Sequence, residues 1–559
     1  MAQTVAVLGG GIAGLTAAHE LAERGFDVTV YERRQWGGKA RSLDVPNSAQ
    51  GGRLPLPGEH GFRIFFGFYL NNPDTFKRIP FAGNPHGVFD NLVGVEQLSF
   101  SRAGKRDILL PVKVADPQAY TPALIHETVL GVLLQLNLPP DAAAYFANRL
   151  VVFLSSCDGR RRTDWDLMPW TKFIRTDKWP GDYTDILSEA WAHMLQASRA
   201  PATNADFVGT ILEWIVYNLI GLNSTAPPDR VLGGPTNEML INPWVKHLGT
   251  LGAKMRLGYS VTSLELTNGR ITGAQMVGPD GPTRIQADWY VCALPVERAR
   301  TLWSQAILTA APELNGTLAL NTAWMNGIQL YLRKPAPVIR GHIACLNSPW
   351  MVSGVAQAQF WPTNFAQTYG DGRAQDCLST VISEWNTPGL LYGKAACDCT
   401  DQEIINEIWA QFKQHLNDPG DTPLTDDLLL SGHVDPGLVR VNGRLTSEDP
   451  LVLPSLGSWA KRPDIGTKIP NLVLAGDYVR GDWQMANMEA ANVSGRGAAN
   501  VILARSGSAS PMVKIYPRYR PPEWQLLKTL DATRLALRQP NLFDLDMTFE
   551  QLAKLLLLY

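Results

Sequence analysis

The chain has 559 residues, 50 Lys+Arg against 52 Asp+Glu for a formal net charge of −2, with 45% hydrophobic and 18% charged residues. That composition excludes a disordered or highly solvated chain, and the balanced charge excludes a dedicated nucleic-acid binder, which would carry a strong basic excess. Surface scaling gives about 20,000 Å² folded against about 89,000 Å² unfolded, so a large core is available.

Cys157, Cys292, Cys345, Cys377, Cys397 and Cys399 include no CxxC pair. Cys397 and Cys399 form a C-x-C without a matching pair at zinc spacing, so no metal is expected and the thiols read as buried residues of a reducing compartment. The chain enters a strand almost at once, without a charged n-region or apolar h-region. The longest apolar run, Val208 to Leu222, is broken by Glu213 and Asn218, so no segment is expected to span a membrane. A cytoplasmic protein is expected, in solution or lying on a membrane surface.

In chain order, Thr4 to Leu8 is a short apolar run typical of a parallel strand buried on both faces. Gly9-Gly10-Gly11-Ile12-Ala13-Gly14 follows, then a helix predicted over 15–24 and ended by Gly25, and a second strand over 26–31. Residues 116–230 are mostly helical by period, rich in Trp and Leu, and punctuated by Pro169, Pro180 and Pro201. Strands are predicted over 254–257, 260–266, 270–277 and 287–293. Residues 301–455 mix strands such as 328–332 with a helix over 401–416. A last strand–turn–helix unit covers 471–475, Gly476-Asp477 and 488–504. The tail from Pro511 places Lys514, Arg518 and Arg520 among Tyr516, Tyr519 and Trp524, then adds two amphipathic stretches ending in Leu555 to Tyr559.

The simplest α/β organisation is a Rossmann-type domain built from segments 1–115, 231–300 and 456–505. An α+β substrate domain is threaded in as inserts 116–230 and 301–455, and a helical extension covers 506–559.

Gly9-x-Gly11-x-x-Gly14 stands between a strand and a helix, the context that a dinucleotide fingerprint requires. The glycines allow a tight turn, close approach of a pyrophosphate, and close packing of helix on strand. The diphosphate would rest on the helix N-terminal amides. Glu32 ends the second strand and suits a carboxylate that accepts both ribose hydroxyls. Gly37-Gly38-Lys39-Ala40-Arg41 follows within a few residues and suits a loop over a phosphate or flavin. Asp477, after an apolar strand, reads either as a helix cap or as a ligand of a ribityl or phosphate group.

Glu32 to Arg41 and the run Gly61-Phe62-Arg63-Ile64-Phe65-Phe66-Gly67-Phe68-Tyr69 resemble the flavin loop of plant- and cyanobacterial-type phytoene desaturases. Gly233 to Val261, Ala287 to Pro295, and Gly476-Asp477-Tyr478 with Asn487 to Gly495 are similar to further segments of that family. Together they match the superfamily that includes flavin amine oxidases, carotenoid desaturases and hydroxysqualene dehydroxylase. The resemblance implies FAD as cofactor, with Gly9, Gly11, Gly14 and Glu32 holding its ADP half and Gly38, Lys39 and Arg41 covering the pyrophosphate and flavin edge. It further implies Val261 at the adenine, Asp477 at the ribityl or pyrophosphate, and Met488 and Ala491 at the ring. Ala13, Arg33, Ala40 and Gly476 complete the expected set. Ala490 replaces the family's glycine, and the extension after residue 506 has no counterpart.

Amine oxidases of the superfamily place a lysine near the flavin, and the equivalent stretch, Trp324 to Leu332, has none. Trp165, Trp170, Trp179, Trp191 and Trp214 crowd the first insert, which favours an apolar cavity. His60 and Arg63 are the polar candidates beside the flavin, with Phe65, Phe66, Gln329 and Tyr331 as further pocket candidates; no catalytic residue is singled out. The expected activity is FAD-dependent dehydrogenation of an apolar, isoprenoid-like small molecule, with a quinone or O2 as electron acceptor. An amine or amino-acid oxidase, a terpenoid isomerase or dehydroxylase, and a flavin-binding scaffold are the alternatives. The basic, aromatic tail reads either as an interfacial helix that contacts a membrane or as a helix pair docked on the protein itself.

Overall fold

A computed structural model describes residues 2–61, 63–111, 122–136, 138–224, 226–418 and 421–544; Phe62 and the tail end Leu555 to Tyr559 lie outside them. Five short strands form one parallel sheet in the order Leu472–Leu474, Trp289–Cys292, Thr4–Leu8, Asp27–Glu32, Lys254–Leu257. The central strand is apolar from Val5 to Leu8 because both of its faces are covered. Val5 and Val7 pack with Leu15 and Ala18 of the Ile12–Ala22 helix and Ile502 of the Met488–Ser506 helix. Ala6 and Leu8 point the other way, onto Leu264, Ala274 and Met276 of an antiparallel meander.

That meander has three strands, Ser260–Thr267, Arg270–Gly278 and Gly281–Ile285. The third is not foreseen, since Gly-Pro-Thr-Arg-Ile carries no apolar alternation and none of its residues is fully buried. The first helix begins at Ile12 rather than at residue 15, because Gly11 is its N-cap and Gly14 already lies in its first turn. A Cβ on Gly14 would stand 1.9 Å from the Gly9 carbonyl oxygen, and one on Gly495 would stand 2.5 Å from that of Ala13. Glycine at these two positions is what lets strand, loop and both helices approach.

A seven-stranded sheet runs Leu429–Val434, Gly327–Leu332, Asp376–Ile382, Val352–Ala356, Gly341–Leu346, Gln97–Arg102, Lys105–Pro111. Only Gly341–Leu346 and Gln97–Arg102 pair in parallel. Residues 97–111 therefore belong to this second sheet, although they precede the boundary expected at 115; their backbone partners are in the second insert. Helix Asp401–Leu416 covers one face with Ile404, Ile408, Trp409 and Phe412, and a capping box of Thr400 and Glu403 starts it.

Trp165, Trp170 and Trp214 are buried in the core of the helical insert, and Trp179 and Trp191 pack against it. They hold helices together rather than line the main cavity. In the tail, helix Gln525–Ala536 docks on this insert through buried Trp524 and Leu527. Arg518 lies 3.9 Å and Lys528 3.9 Å from the carboxylate of Glu213. The tail's cations are thus largely spent on the protein's own acids, while Leu526, Leu530 and Leu537 remain exposed. Among the described residues no helix is long and apolar enough to cross a membrane.

Candidate functional site

One cavity of about 530 Å³ is walled by the glycine loop together with loops and helices from across the chain. At one end its wall is Gly9, Gly11, Ala13, Glu32, Arg33, Tyr259, Val261 and Gly476. Gly38, Lys39, Ala40, Arg41, Asp477, Met488 and Ala491 follow, so the segments expected to hold one ligand do meet around one space. Gly14 is the exception: it supports the turn from beneath and does not reach the cavity.

Each wall segment is held by a local device. Gly10 N–H and Arg34 N–H donate to the two oxygens of Glu32, at 2.8 and 3.0 Å, which fixes the carboxylate at the strand end with lone pairs to spare. Gly37 N–H donates to the Gly10 carbonyl at 2.9 Å, so the second glycine loop lies on the first. Arg63 braces that loop, donating to the carbonyls of Lys39 (3.1 Å) and Arg41 (3.2 Å). The Glu489 carboxylate accepts the N–H groups of Leu70, Asn71 and Asn72 and so pins the Gly61–Tyr69 run to the start of the last helix.

Asp449 gathers the cations of the loop. Arg34 and Arg41 reach it at 2.9 and 3.1 Å, and Arg33 at 3.7 Å. Burial alone would raise this carboxyl, but Arg41, His60, Arg34 and Lys39 hold it below the ordinary range. Lys39 also pairs with Glu297 at 3.2 Å.

Several features fit a dinucleotide. The first helix has no side chain capping its N-terminus at Gly11, so its opening amides are left for an anion. The Asn487 side-chain nitrogen is buried without a hydrogen-bond partner at the cavity wall, an orphan donor that a bound group would satisfy. Glu32, Met488 and Ala491, drawn from separate segments, all line this one space.

Beyond the loops the wall becomes apolar, with Ile64, Met194, Leu195, Met325 and Met485, and the Tyr69 hydroxyl buried among them. Arg63 and His60 line the cavity, but four pocket candidates do not. Phe65 sits under the parallel sheet, in edge contact with Phe76 at 6.0 Å, and Phe66 stacks on Phe68 at 4.9 Å in the helical core. Gln329 and Tyr331 turn their polar ends to the backbone of the Pro57–Glu59 strand, at 3.2 and 2.9 Å. Sequence reading missed Asp449, Met194, Leu195, Met325 and Met485, which loops and helices bring in from remote positions without a motif.

A family model for an NAD(P)-binding Rossmann-like domain matches residues 7–78, and one for the flavin-containing amine oxidoreductases matches residues 224–503, half of the chain. Among curated relatives, a zeta-carotene desaturase of Synechocystis sp. is 24% identical over 89% of this chain and 97% of its own. A 15-cis-phytoene desaturase of Synechococcus elongatus is 25% identical over 90% and 96%. A carotenoid phi-ring synthase of Streptomyces griseus is 24% identical over 92% and 91%. Among solved structures, an oxidoreductase from Methanosarcina mazei matches with a TM-score of 0.58 at 13% identity, covering 88% of this chain and 99% of that one. A putrescine oxidase matches at 0.56 and 12%, covering 90% and 99%; both likenesses concern the fold. With its glycine turn and the Glu32 carboxylate on the wall of one cavity, the chain belongs to the flavin-containing amine oxidoreductase family and is an FAD-dependent oxidoreductase.

Proposed function

We propose that the protein dehydrogenates an apolar, isoprenoid-like substrate. The observation that carries this reading is the wall beyond the glycine loops: Ile64, Met194, Leu195, Met325 and Met485 form it, and the cavity's carboxylates, Glu32, Asp449 and Asp477, belong to the loop side. A cationic amine would need a carboxylate in the apolar part to replace its hydration. A hydrocarbon needs only a dry, well-shaped wall. The carotenoid-related relatives support the same substrate class.

FAD, when bound, accepts a hydride from a carbon held over its ring. The glycine loops, Glu32 and Asp477 orient the cofactor, while the methionines adapt to an elongated chain and exclude water. Arg63 acts on the loop rather than on the substrate, since its guanidinium is committed to the Lys39 and Arg41 carbonyls. The electron acceptor is a quinone or O2. The exposed Leu526, Leu530 and Leu537 on the docked tail helix are the surface we assign to contact with a lipid phase that carries the substrate.

The test is anaerobic mixing of the yellow holoprotein with an isoprenoid polyene in detergent and, separately, with a panel of amines and amino acids. Loss of the flavin band with the polyene alone is expected. Bleaching by an amine alone would overturn the reading in favour of an oxidase.

A further inference from the structure

His60 is held in the cavity wall by both ends of its backbone. Its N–H donates to the Arg41 carbonyl at 3.1 Å, and its own carbonyl accepts Gly327 N–H at 2.7 Å. The imidazole Nδ1 stands 2.5 Å from Asp435 Oδ2. Asp435 is itself fixed: Asn326 donates to the same carboxylate at 2.6 Å and Gly437 N–H to its other oxygen at 3.0 Å. Both side chains are buried, and Met325, Pro436 and Gly437, the neighbours of this pair, line the same cavity.

The arrangement decides the tautomer. Burial raises the Asp435 carboxyl less than His60, Gly437 and Asn326 lower it, so it stays ionised, below the ordinary range. Burial lowers His60 against the pull of Asp435, with Arg41 adding to the lowering and Asp449 opposing it. Burial thus favours the neutral ring, and with Nδ1 in close contact with the Asp435 carboxylate, though off the angle of a good hydrogen bond, and no acceptor at Nε2, the favoured tautomer carries its proton on Nδ1 and a lone pair on Nε2. Nδ1 is sealed from solvent, so the remaining exposure of the ring, 4% for the residue, lies on its other atoms. Among the described residues Nε2 has no hydrogen bond. The charged and titratable groups facing the pair are Arg41, Asp449, Arg63 and His433, and the neighbouring Glu59 turns away to Thr236.

We propose that His60 Nε2 accepts the proton released when the substrate is oxidised in this cavity, with Asp435 as its positioning residue. The assignment rests on the dehydrogenase reading above. One C–H bond breaks with its electron pair, and the hydride passes to oxidised FAD. The C–H bond on the adjacent carbon breaks, its electron pair becomes the new double bond, and its proton goes to Nε2. The substrate loses two hydrogens, FAD is reduced, and a quinone or O2 later reoxidises it.

The test combines tautomer and rate. Histidine-selective 15N labelling of the holoprotein, with His60→Gln to assign the signal, should show Nδ1 protonated and Nε2 bare at pH 7.5. Asp435→Asn should lose that preference. His60→Gln should retain FAD and substrate affinity but slow anaerobic bleaching about 10²–10⁴-fold, the range for a missing proton acceptor. In the wild type, bleaching should rise with pH to a plateau below the ordinary imidazole midpoint, and Asp435→Asn should shift that rise to lower pH. An Nε2–H tautomer, or unchanged bleaching by flavin-loaded His60→Gln, overturns the assignment. If an amine bleaches the flavin where polyenes do not, the substrate reading falls, and the His60→Gln rate ratio with that amine judges His60 separately.

Discussion

Glu59 is a buried carboxyl one residue from His60, and its environment makes a stability prediction. Burial pushes it up from 4.5 to about 7, against the lowering effect of Arg63 and the two hydrogen bonds from Thr236. The folded chain thus keeps a proton that the unfolded chain releases between those values, so stability falls as pH rises through that window. The effect is on the order of 3 kcal/mol. Glu59→Gln should remove this slope, seen as the difference between the two urea-unfolding curves across pH 4.5–7; parallel curves would sink the idea. At this scale the residues legible in the sequence were those whose job is local. The Gly9–Gly14 turn, the strand end at Glu32 and the Gly37–Arg41 loop stand as local structure where the sequence places them, because a turn, a strand end and a second turn each constrain neighbouring positions. His60 was legible only as a polar candidate, because its partner, Asp435, is supplied from far along the chain, just after the strand Leu429–Val434. Phe65 and Phe66 misled for the opposite reason: an aromatic run beside a site looks like a wall, yet here it packs two different cores.

Elements with their own start and stop signals matched expectation closely. Helix Asp401–Leu416 has the predicted bounds, since Thr400 and Glu403 close a capping box and its apolar positions recur at helical spacing. Strand Gly281–Ile285 carried no such signal and is made by its pairing with Arg270–Gly278. The tail is a docked element whose attachment depends on Glu213. Burial would raise that carboxyl, but Arg161, Lys528 and Arg518 hold it well below the carboxylate range, and Arg161 bonds both of its oxygens at 2.7 and 3.0 Å. Glu213→Gln would leave these buried cations uncompensated, at a cost of about 3–5 kcal/mol. The expected outcome is a lower urea midpoint and early proteolysis between 506 and 536, with the rest of the chain intact. A variant with an unchanged midpoint and a resistant tail would show that Trp524 and Leu527 alone secure the helix.

Across the whole molecule, cofactor and fold are coupled, because the cavity wall is drawn from the strands and loops of the parallel sheet as well as from loop residues Met325, Pro436 and Gly437 that flank strands of the second sheet. FAD at about 100 times its dissociation constant should add about 2.7 kcal/mol to the folded state. Glu32→Ala should shrink that gain by weakening ribose binding and by freeing the amides of Gly10 and Arg34. Equal thermal shifts with FAD for variant and wild type would discard the ribose assignment. Recurring strand–turn–helix signals locate strands of the parallel sheet, but the allegiance of residues 97–111 could not be read from them: parallel pairing with Gly341–Leu346 is a property of the assembled sheet. The central strand Thr4–Leu8 also finds its neighbour Trp289–Cys292, and through it Leu472–Leu474, only after most of the chain exists. At a synthesis rate of about 5–20 residues per second, that wait lasts on the order of half a minute. During translation the glycine turn is therefore exposed without the strand and helix that complete its pocket, and Asp477 and Met488 are among the last wall residues to leave the ribosome. The flavin pocket is consequently expected to close only late in synthesis, and a nascent chain stalled before residue 470 lacks part of its wall.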